Sequence, residues 1–304
     1  MKKIAVSIII PLFNNSEHVL QTLESVCLQT YTNWECIIID DGSTDGSIGA
    51  VHELISNDSR FTLLKRSDLT TVKGANVCRN IGLKQAKSEW LIFVDADDYL
   101  AIDCLYQRLQ YIQSNRGFDF YVFKTAFVND AGTVMGTFCH PDNNLQNLIF
   151  GLIKHQIPWH TMSPVWNVKF LQKIGGWNET FERLQDVELS IRALLHAPSF
   201  RIDNGQIDSF YRSNGMTPQK IAAARMGFCR LIKDCYFDLM NSKLLDESCK
   251  EEIVGIFQAI IEGQLYHYIV NNAEDKNWEA LYLQTLDTLE MEEYTSVKKL
   301  FETI

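Results

Sequence analysis

The run FVDADDYL, residues 93–100, ends an apolar stretch on Asp95, Asp97 and Asp98. Carboxylates so close repel one another, and two things commonly offset the repulsion. One is a cation; the other is the free N–H groups and positive dipole of a helix N-terminus. In extended backbone, residues i and i+2 point the same way, so Asp95 and Asp97 can face one ion. Carboxylate oxygens suit a hard cation, Mn²⁺ or Mg²⁺, which also takes substrate phosphate oxygens. Such an ion would hold a pyrophosphate leaving group and help it depart as a Lewis acid. Asp98 reads instead as the cap of a helix expected over DYLAIDCLYQRLQYI.

Other residues carry chemistry of a compatible kind. In IIIDDGSTDGS, residues 37–47, two acids stand before Gly and small residues. That pattern makes a turn and a helix cap, or it recognises a nucleoside through a carboxylate that accepts N–H or ribose O–H bonds. Asp41 is the candidate for the second role, because Asp40 is better placed to serve the local turn. Lys73 and Arg79, around GANVCRNIGL, are either solvated residues of an amphipathic helix or partners for a diphosphate and neighbouring acids. Asp186 begins a helical pattern in LQDVELSIRAL. There it either complements the helix dipole or accepts a proton from an attacking hydroxyl. Glu188 and Arg192 are four apart and can pair. Arg212 suits a phosphate or a structural ion pair, and Trp166 can stack on a sugar or fill the core.

These residues need a scaffold. Apolar runs over 4–10, WECIIID, FTLLKR and EWLIFVD read as short buried strands. Helical patterns over 16–29, 47–57 and GANVCRNIGLKQAK separate them. This alternation predicts an α/β fold with a mostly parallel sheet and helices on both faces. Ligands of such sheets bind at the carboxyl ends of the strands. Three of those ends, at IIIPLFN, IIIDDGS and FVDADD, are polar, so the acids belong to one shared crevice. After Thr217-Pro218, a cap followed by Pro at the first helical position, residues 218–304 read as nearly all helical. The expected organisation is a catalytic domain over 1–217 and a helical extension over 218–304. The extension carries 9 basic and 15 acidic residues, which favours packing or homo-oligomer contact over adhesion to anionic lipid.

Composition narrows the class. The chain has 304 residues and a net charge of −10, from 28 Lys+Arg against 38 Asp+Glu, so a nucleic-acid partner is not expected. The 8 cysteines are scattered without zinc spacing, which suits reduced thiols in a cytosolic protein. MKKIAVSIIIPLFNN begins like a short secretory signal, but Pro11 interrupts the apolar run and a buried strand is the better reading. No apolar stretch reaches the ~18–20 residues that span a bilayer, so a soluble chain is expected.

In their order, SIIIPLFNN, LESVCLQTYTNWECIIIDDGSTDGS, GANVCRNIGL, FVDADD, PVWNVKF, GGWNETFERLQDVELSIRAL and FYR resemble the family 2 glycosyltransferases of the GT-A fold. The resemblance covers roughly residues 4–215 and leaves the helical extension outside. It implies inverting transfer of a sugar from a nucleotide-diphosphate sugar to a hydroxyl acceptor. In such enzymes the Pro11–Phe13 loop and Asp41 hold the nucleoside, with Asn14 and Ser43 on the same donor side. Lys73, Arg79 and Arg212 serve the donor as well. Asp95 and Asp97 bind ribose and Mn²⁺ or Mg²⁺, Asp186 is the general base, and Trp166 and Glu188 fall on the acceptor side. A UDP-sugar is favoured by family frequency, and the acceptor class is a saccharide or glycolipid of a bacterial-type surface polymer. The implied location is cytoplasmic or peripheral at the inner face of the membrane.

Two positions depart from the family pattern. Gln185 replaces the glutamate usual before the base, and Ser213-Asn214-Gly215 stands where many relatives carry a histidine soon after the arginine. Those departures leave room for a non-catalytic nucleotide-sugar binder with the same fold. A nucleotidyltransferase would bring a Gly-rich basic loop near the start, and PLFNNSEH is not one.

Overall fold

The computed structural model describes residues 5–138, 143–154, 156–196, 199–213, 215, 218–261 and 284–285. The first half alternates as the sequence predicts: β1 (Val6–Leu12), α1 (Val19–Cys27), β2 (Trp34–Asp40), α2 (Ser47–Ile55), β3 (Phe61–Lys65), α3 (Ala75–Gln85) and β4 (Trp90–Phe93). Then come β5 (Tyr99–Leu100), α4 (Cys104–Ser114), β6 (Phe120–Val122), β7 (Thr125–Val128), β8 (Val134–Phe138), α5 (Leu145–Ile153) and β9 (Pro164–Asn167). The chain continues through α6 (Val168–Lys173), α7 (Gln185–Leu195), β10 (Phe200–Ile202), β11 (Ser209–Arg212), α8 (Pro218–Asn241) and α9 (Glu247–Ile260).

Seven strands form the main sheet in the order β10-β6-β9-β4-β1-β2-β3. The pairs β4-β1, β1-β2, β2-β3 and β10-β6 are parallel, whereas β9 runs antiparallel between β4 and β6. β1 and β2 are almost wholly buried, as strands covered on both faces must be. Their side chains alternate between two cores. Ile8, Ile10, Leu12, Ile38 and Ile92 join α1 and α4 in one of them. On the other face α3 lies so close to β1 that a Cβ at Gly82 would stand 2.5 Å from Ile9. The chain builds β1, β2 and β3 outward on one side, then returns to place β4 on the other side of β1. The carboxyl ends of β1 and β4 therefore flank the point where the winding reverses, which is where such sheets bind ligands. A smaller sheet, β5-β11-β7-β8, carries Arg212 on β11.

Contacts divide the chain into two compact units. The first holds residues 1–143, 157–179 and 198–215, and so contains both sheets. The second holds 144–156, 180–197 and 216–304. Expected boundaries and found units thus differ, because α5 and α7 pack with each other and with α9 and α8. Reading along the chain assigns segments by continuity, while packing follows the apolar faces: α5 and α7 are apolar on one side and need a partner. Within the second unit a Cβ on Gly227 of α8 would come 2.8 Å from the Arg183 carbonyl, so α8 closes directly on the turn that starts α7. Of the helical extension, 262–283 and 286–304 lie outside the described residues, as do Thr217, Asn214 and Cys139. Among the described residues no helix is long and apolar enough to cross a membrane.

Candidate active site

The crevice is built from loops that leave β1, β2 and β4. After Leu12 the chain turns through Phe13, which is 58% exposed, and Asn14, whose φ of 44° is left-handed. Asn14 is well suited to that region, and its Oδ1 accepts from Thr44 N at 2.7 Å. Its own N donates to Ser43 Oγ at 3.0 Å, so the first and second loops are stitched together. Asp45 ties them again, accepting from Ser16 N at 2.8 Å and Ser47 N at 3.0 Å, and the hydrogen bond from the Ser47 hydroxyl holds its carboxyl well below the ordinary range. Asn14 and Ser43 therefore act as one frame, at the end of the strand that carries Pro11.

The two acids after β2 divide their work. Asp40 is buried, and its Oδ1 accepts from Ser43 N at 2.9 Å, which closes the turn. Asp41 sits at the crevice with Oδ1 taking Arg66 Nε at 2.7 Å and Oδ2 taking Gly74 N at 2.9 Å. A carboxylate has about four acceptor positions, so two bonds orient Asp41 without exhausting it. Arg66 follows β3 and carries no marker in the sequence. Lys73, beside Gly74, is exposed.

Around Asp95 the backbone is not extended. Asp98 N donates to Asp95 O at 3.0 Å, so residues 95–98 form a turn and Asp98 comes back beside Asp95. The expected helix cap at Asp98 is corrected here: β5 intervenes, and α4 begins only at Cys104. Asp98 is fully buried, and its Oδ1 accepts the backbone N of Arg212 at 2.9 Å. Its Oδ2 has no partner among the described residues. Arg212 clasps the turn from behind, with Nε on Asp97 O at 3.1 Å and Nη2 on Gln21 Oε1 at 2.5 Å. Arg79 is likewise engaged, giving Nη2 to Asp95 Oδ1 at 2.5 Å while its guanidinium lies 4.5 Å from the Trp177 ring centre. Both arginines are buried, so they hold the acids rather than stand open to a phosphate.

Charge accumulates accordingly. Burial pushes the Asp97 carboxyl up, and repulsion from Asp95 adds to it. Burial also pushes Asp98 well up, helped by Asp97 and Asp95. Burial would raise Asp95 too, but the Arg79 guanidinium and His160 hold it below the ordinary value. A cavity of about 610 Å³ opens here, lined among others by Asn14, Glu17, His18, Asp97, Asp130 and Ser213. Its described lining carries three carboxylates and no lysine or arginine. One ligating atom from each of Asp95, Asp98 and His160 lies within 4.8 Å of the others. His160, in PWHTMSP some sixty positions later, had no spacing signal to reveal it.

Two residues on the expected acceptor side are corrected. Trp166 is 2% exposed and packs against Phe120 with ring centres 4.6 Å apart, so its face is not open to a sugar. Glu188 is buried against Arg192, with bonds of 2.6 and 2.8 Å, the i,i+4 pair that the spacing allowed. Asp186 stands in the first turn of α7, in the second unit, partly exposed, with Oδ1 accepting from Val187 N at 3.0 Å. The preceding Leu184 has a left-handed φ of 60°, a strained geometry that turns the chain sharply into α7. The side-chain oxygen of Gln185 is buried without a partner among the described residues.

The model of the family described as Glycosyl transferase family 2 matches residues 7–165, more than half of the chain. The chain belongs to this family. Among its relatives, an uncharacterized glycosyltransferase of Haemophilus influenzae is 38% identical over 110 residues, 36% of this chain and 43% of that protein. The Escherichia coli UDP-Glc:alpha-D-GlcNAc-diphosphoundecaprenol beta-1,3-glucosyltransferase WfaP is 32% identical over 136 residues, 45% of this chain and 51% of its own length. The matched region thus spans about half or less of these relatives. Among solved structures, S. aureus TarS 1-349 in complex with UDP-GlcNAc superposes with a TM-score of 0.70 at 20% identity, covering 94% of this chain and 80% of TarS. That likeness shows the GT-A fold expected from the sequence of this family 2 member.

Proposed function

We propose that this chain transfers a hexosyl group from a nucleotide-diphosphate sugar, a UDP-sugar by preference, to a hydroxyl of a saccharide or glycolipid acceptor in surface polymer synthesis. WfaP acts on a diphosphoundecaprenol-linked sugar, and TarS was crystallised with UDP-GlcNAc; both support this substrate class. The observation that carries the reading is the acidic cavity at the carboxyl ends of β1 and β4. Its described lining repels a diphosphate unless a cation comes with it. The buried, unpartnered Asp98 Oδ2 is a further reason to expect positive charge at the turn.

In this reading Asp95 and Asp97 hold ribose and a divalent ion, Mn²⁺ or Mg²⁺. When bound, that ion neutralises charge growing on the departing diphosphate. Asp41, oriented by Arg66 and Gly74, accepts from the nucleoside, and the Pro11–Phe13 loop frames it with Asn14 and Ser43. Of the three basic residues expected to serve the donor, Lys73 is the exposed one, and it meets the donor in this reading. Asp186 takes the proton of the acceptor hydroxyl, and a single displacement inverts the anomeric centre.

Calorimetric titration with UDP, GDP and CMP, each with Mn²⁺ and again with EDTA, tests the donor half. The expected result is one nucleotide binding only with metal; no binding in any arm would reject it. Asp186→Asn tests the chemistry. Turnover should fall about 10²–10⁴-fold, the usual contribution of general base catalysis, with nucleotide affinity retained. Equal turnover in Asp186→Asn would remove Asp186 as the base, and no turnover in the parent chain with any donor would favour a binding protein.

A further inference from the structure

The aspartate turn has a histidine neighbour that the family resemblance does not supply. We propose that His160 gives a ring nitrogen to the divalent cation at the turn, together with Asp95 and the inner oxygen of Asp98. This rests on the reading above that the site binds a metal.

Three observations support it. First, one ligating atom from each of the three residues lies within 4.8 Å of the other two, a spacing that a small contraction around an ion would satisfy. Second, Asp98 is 0% exposed, and its Oδ2 is buried with no partner among the described residues. A buried carboxylate oxygen left unbonded is costly, and it takes a cation, a donor or a proton to relieve it. Neither guanidinium nearby gives that oxygen a hydrogen bond: Arg79 bonds to Asp95 and Asn76, and Arg212 to Asp97 O and Gln21. Third, the imidazole is held in place. Its ring centre is 4.4 Å from that of Tyr211 and 5.5 Å from that of Phe138. The loop is closed by His160 N donating to Ser163 Oγ at 3.0 Å and Ser163 N donating to His160 O at 2.9 Å. A ligand fixed by packing costs little ordering when the ion arrives. Asp97 and the diphosphate oxygens would supply the further ligands that such an ion takes. Imidazole suits transition ions better than Mg²⁺ or Ca²⁺, so of the two candidate ions the site should prefer Mn²⁺ to Mg²⁺.

Electron spin-echo spectroscopy of Mn²⁺ bound to the full chain with UDP reads the ligand directly. A coordinated imidazole gives ¹⁴N modulation, which changes character when the protein is made with ¹⁵N-histidine, a test that leaves the fold untouched. The chain has 7 histidines, so His160→Gln then assigns the signal. The expected result is modulation that responds to the label, disappears in His160→Gln, and is accompanied by a roughly 10-fold or larger loss of Mn²⁺ affinity. Bound Mn²⁺ without histidine modulation would overturn the proposal while leaving the metal reading intact. Modulation that survives His160→Gln but is lost in His18→Gln would also overturn it, placing the ligand at the start of α1. Failure of Mn²⁺ to bind, with or without UDP, would reject both.

Discussion

Two arginine–aspartate pairs in the first unit look alike in chemistry and differ in completeness. Arg108 and Asp208 are 1% and 4% exposed, and both carboxylate oxygens take guanidinium bonds, at 2.7 and 2.6 Å. The rest of Arg108 goes to Met162 O at 2.7 Å and Ser209 Oγ at 3.0 Å. Arg79 and Asp95 share a single bond of 2.5 Å, Asp95 is 28% exposed, and Arg79 Nε has no partner among the described residues. The first pair is satisfied, so it can only hold α4 to the strand that carries Arg212. The second leaves acceptor capacity on a partly exposed carboxylate. Within one unit, an unfinished pair distinguishes a site from a strut.

The contrast breaks first at the strut. Arg108→Met should cost on the order of 3–5 kcal/mol, because it leaves Asp208 buried and unpaired. Urea unfolding measures it. A loss under about 1 kcal/mol would mean that the saturated pair is no more structural than an exposed one.

The duties of Arg108 and Arg66 could not be read from the sequence, whereas a meeting of Arg79 with neighbouring acids was one of the readings its position allowed. Asp208 lies 100 positions beyond Arg108, and Arg66 reaches Asp41 across 25. By contrast the sheet was legible, because continuous apolar runs ending in polar turns are what buried parallel strands require. Asp40 as the turn acid was legible for the same local reason, since its bond to Ser43 spans three residues. The i,i+2 argument for the aspartates assumed extended backbone, and the turn over 95–98 brought Asp98 beside Asp95 instead. Trp166 and Glu188 were drawn toward an acceptor by their motifs, whereas burial assigned them to packing. His160 was invisible because a lone histidine in a loop has no period to betray it.

Asp97→Asn sharpens the functional side of the contrast. Burial and Asp95 already work against charge on Asp97, so the amide should leave Tm unchanged or raise it. Mn²⁺-dependent nucleotide affinity should drop at least tenfold, about 1.4 kcal/mol. Calorimetry and thermal unfolding on the same sample give both numbers. A fall in Tm with unchanged affinity would make this aspartate a strut after all.

A third pair calibrates the scale at the exposed end. Arg60 and Asp58 are 31% and 26% exposed, joined by bonds of 2.9, 3.1 and 2.6 Å, with the guanidinium 3.8 Å from the Trp34 ring centre. The hydrogen bonds from Arg60 outweigh burial and lower the Asp58 carboxyl from its ordinary 3.8. Because the folded value is the lower one, the pair's stabilisation is present above about pH 4 and fades as pH falls through the folded value. Solvent screening keeps it to about 0.5 kcal/mol. The stability difference between the parent chain and Asp58→Asn should therefore be constant from pH 8 to about 5 and shrink on further acidification. A difference that grows toward low pH would reverse the sign of this argument. A difference as large as that of Arg108→Met would show that bonding geometry, rather than exposure, separates strut from site.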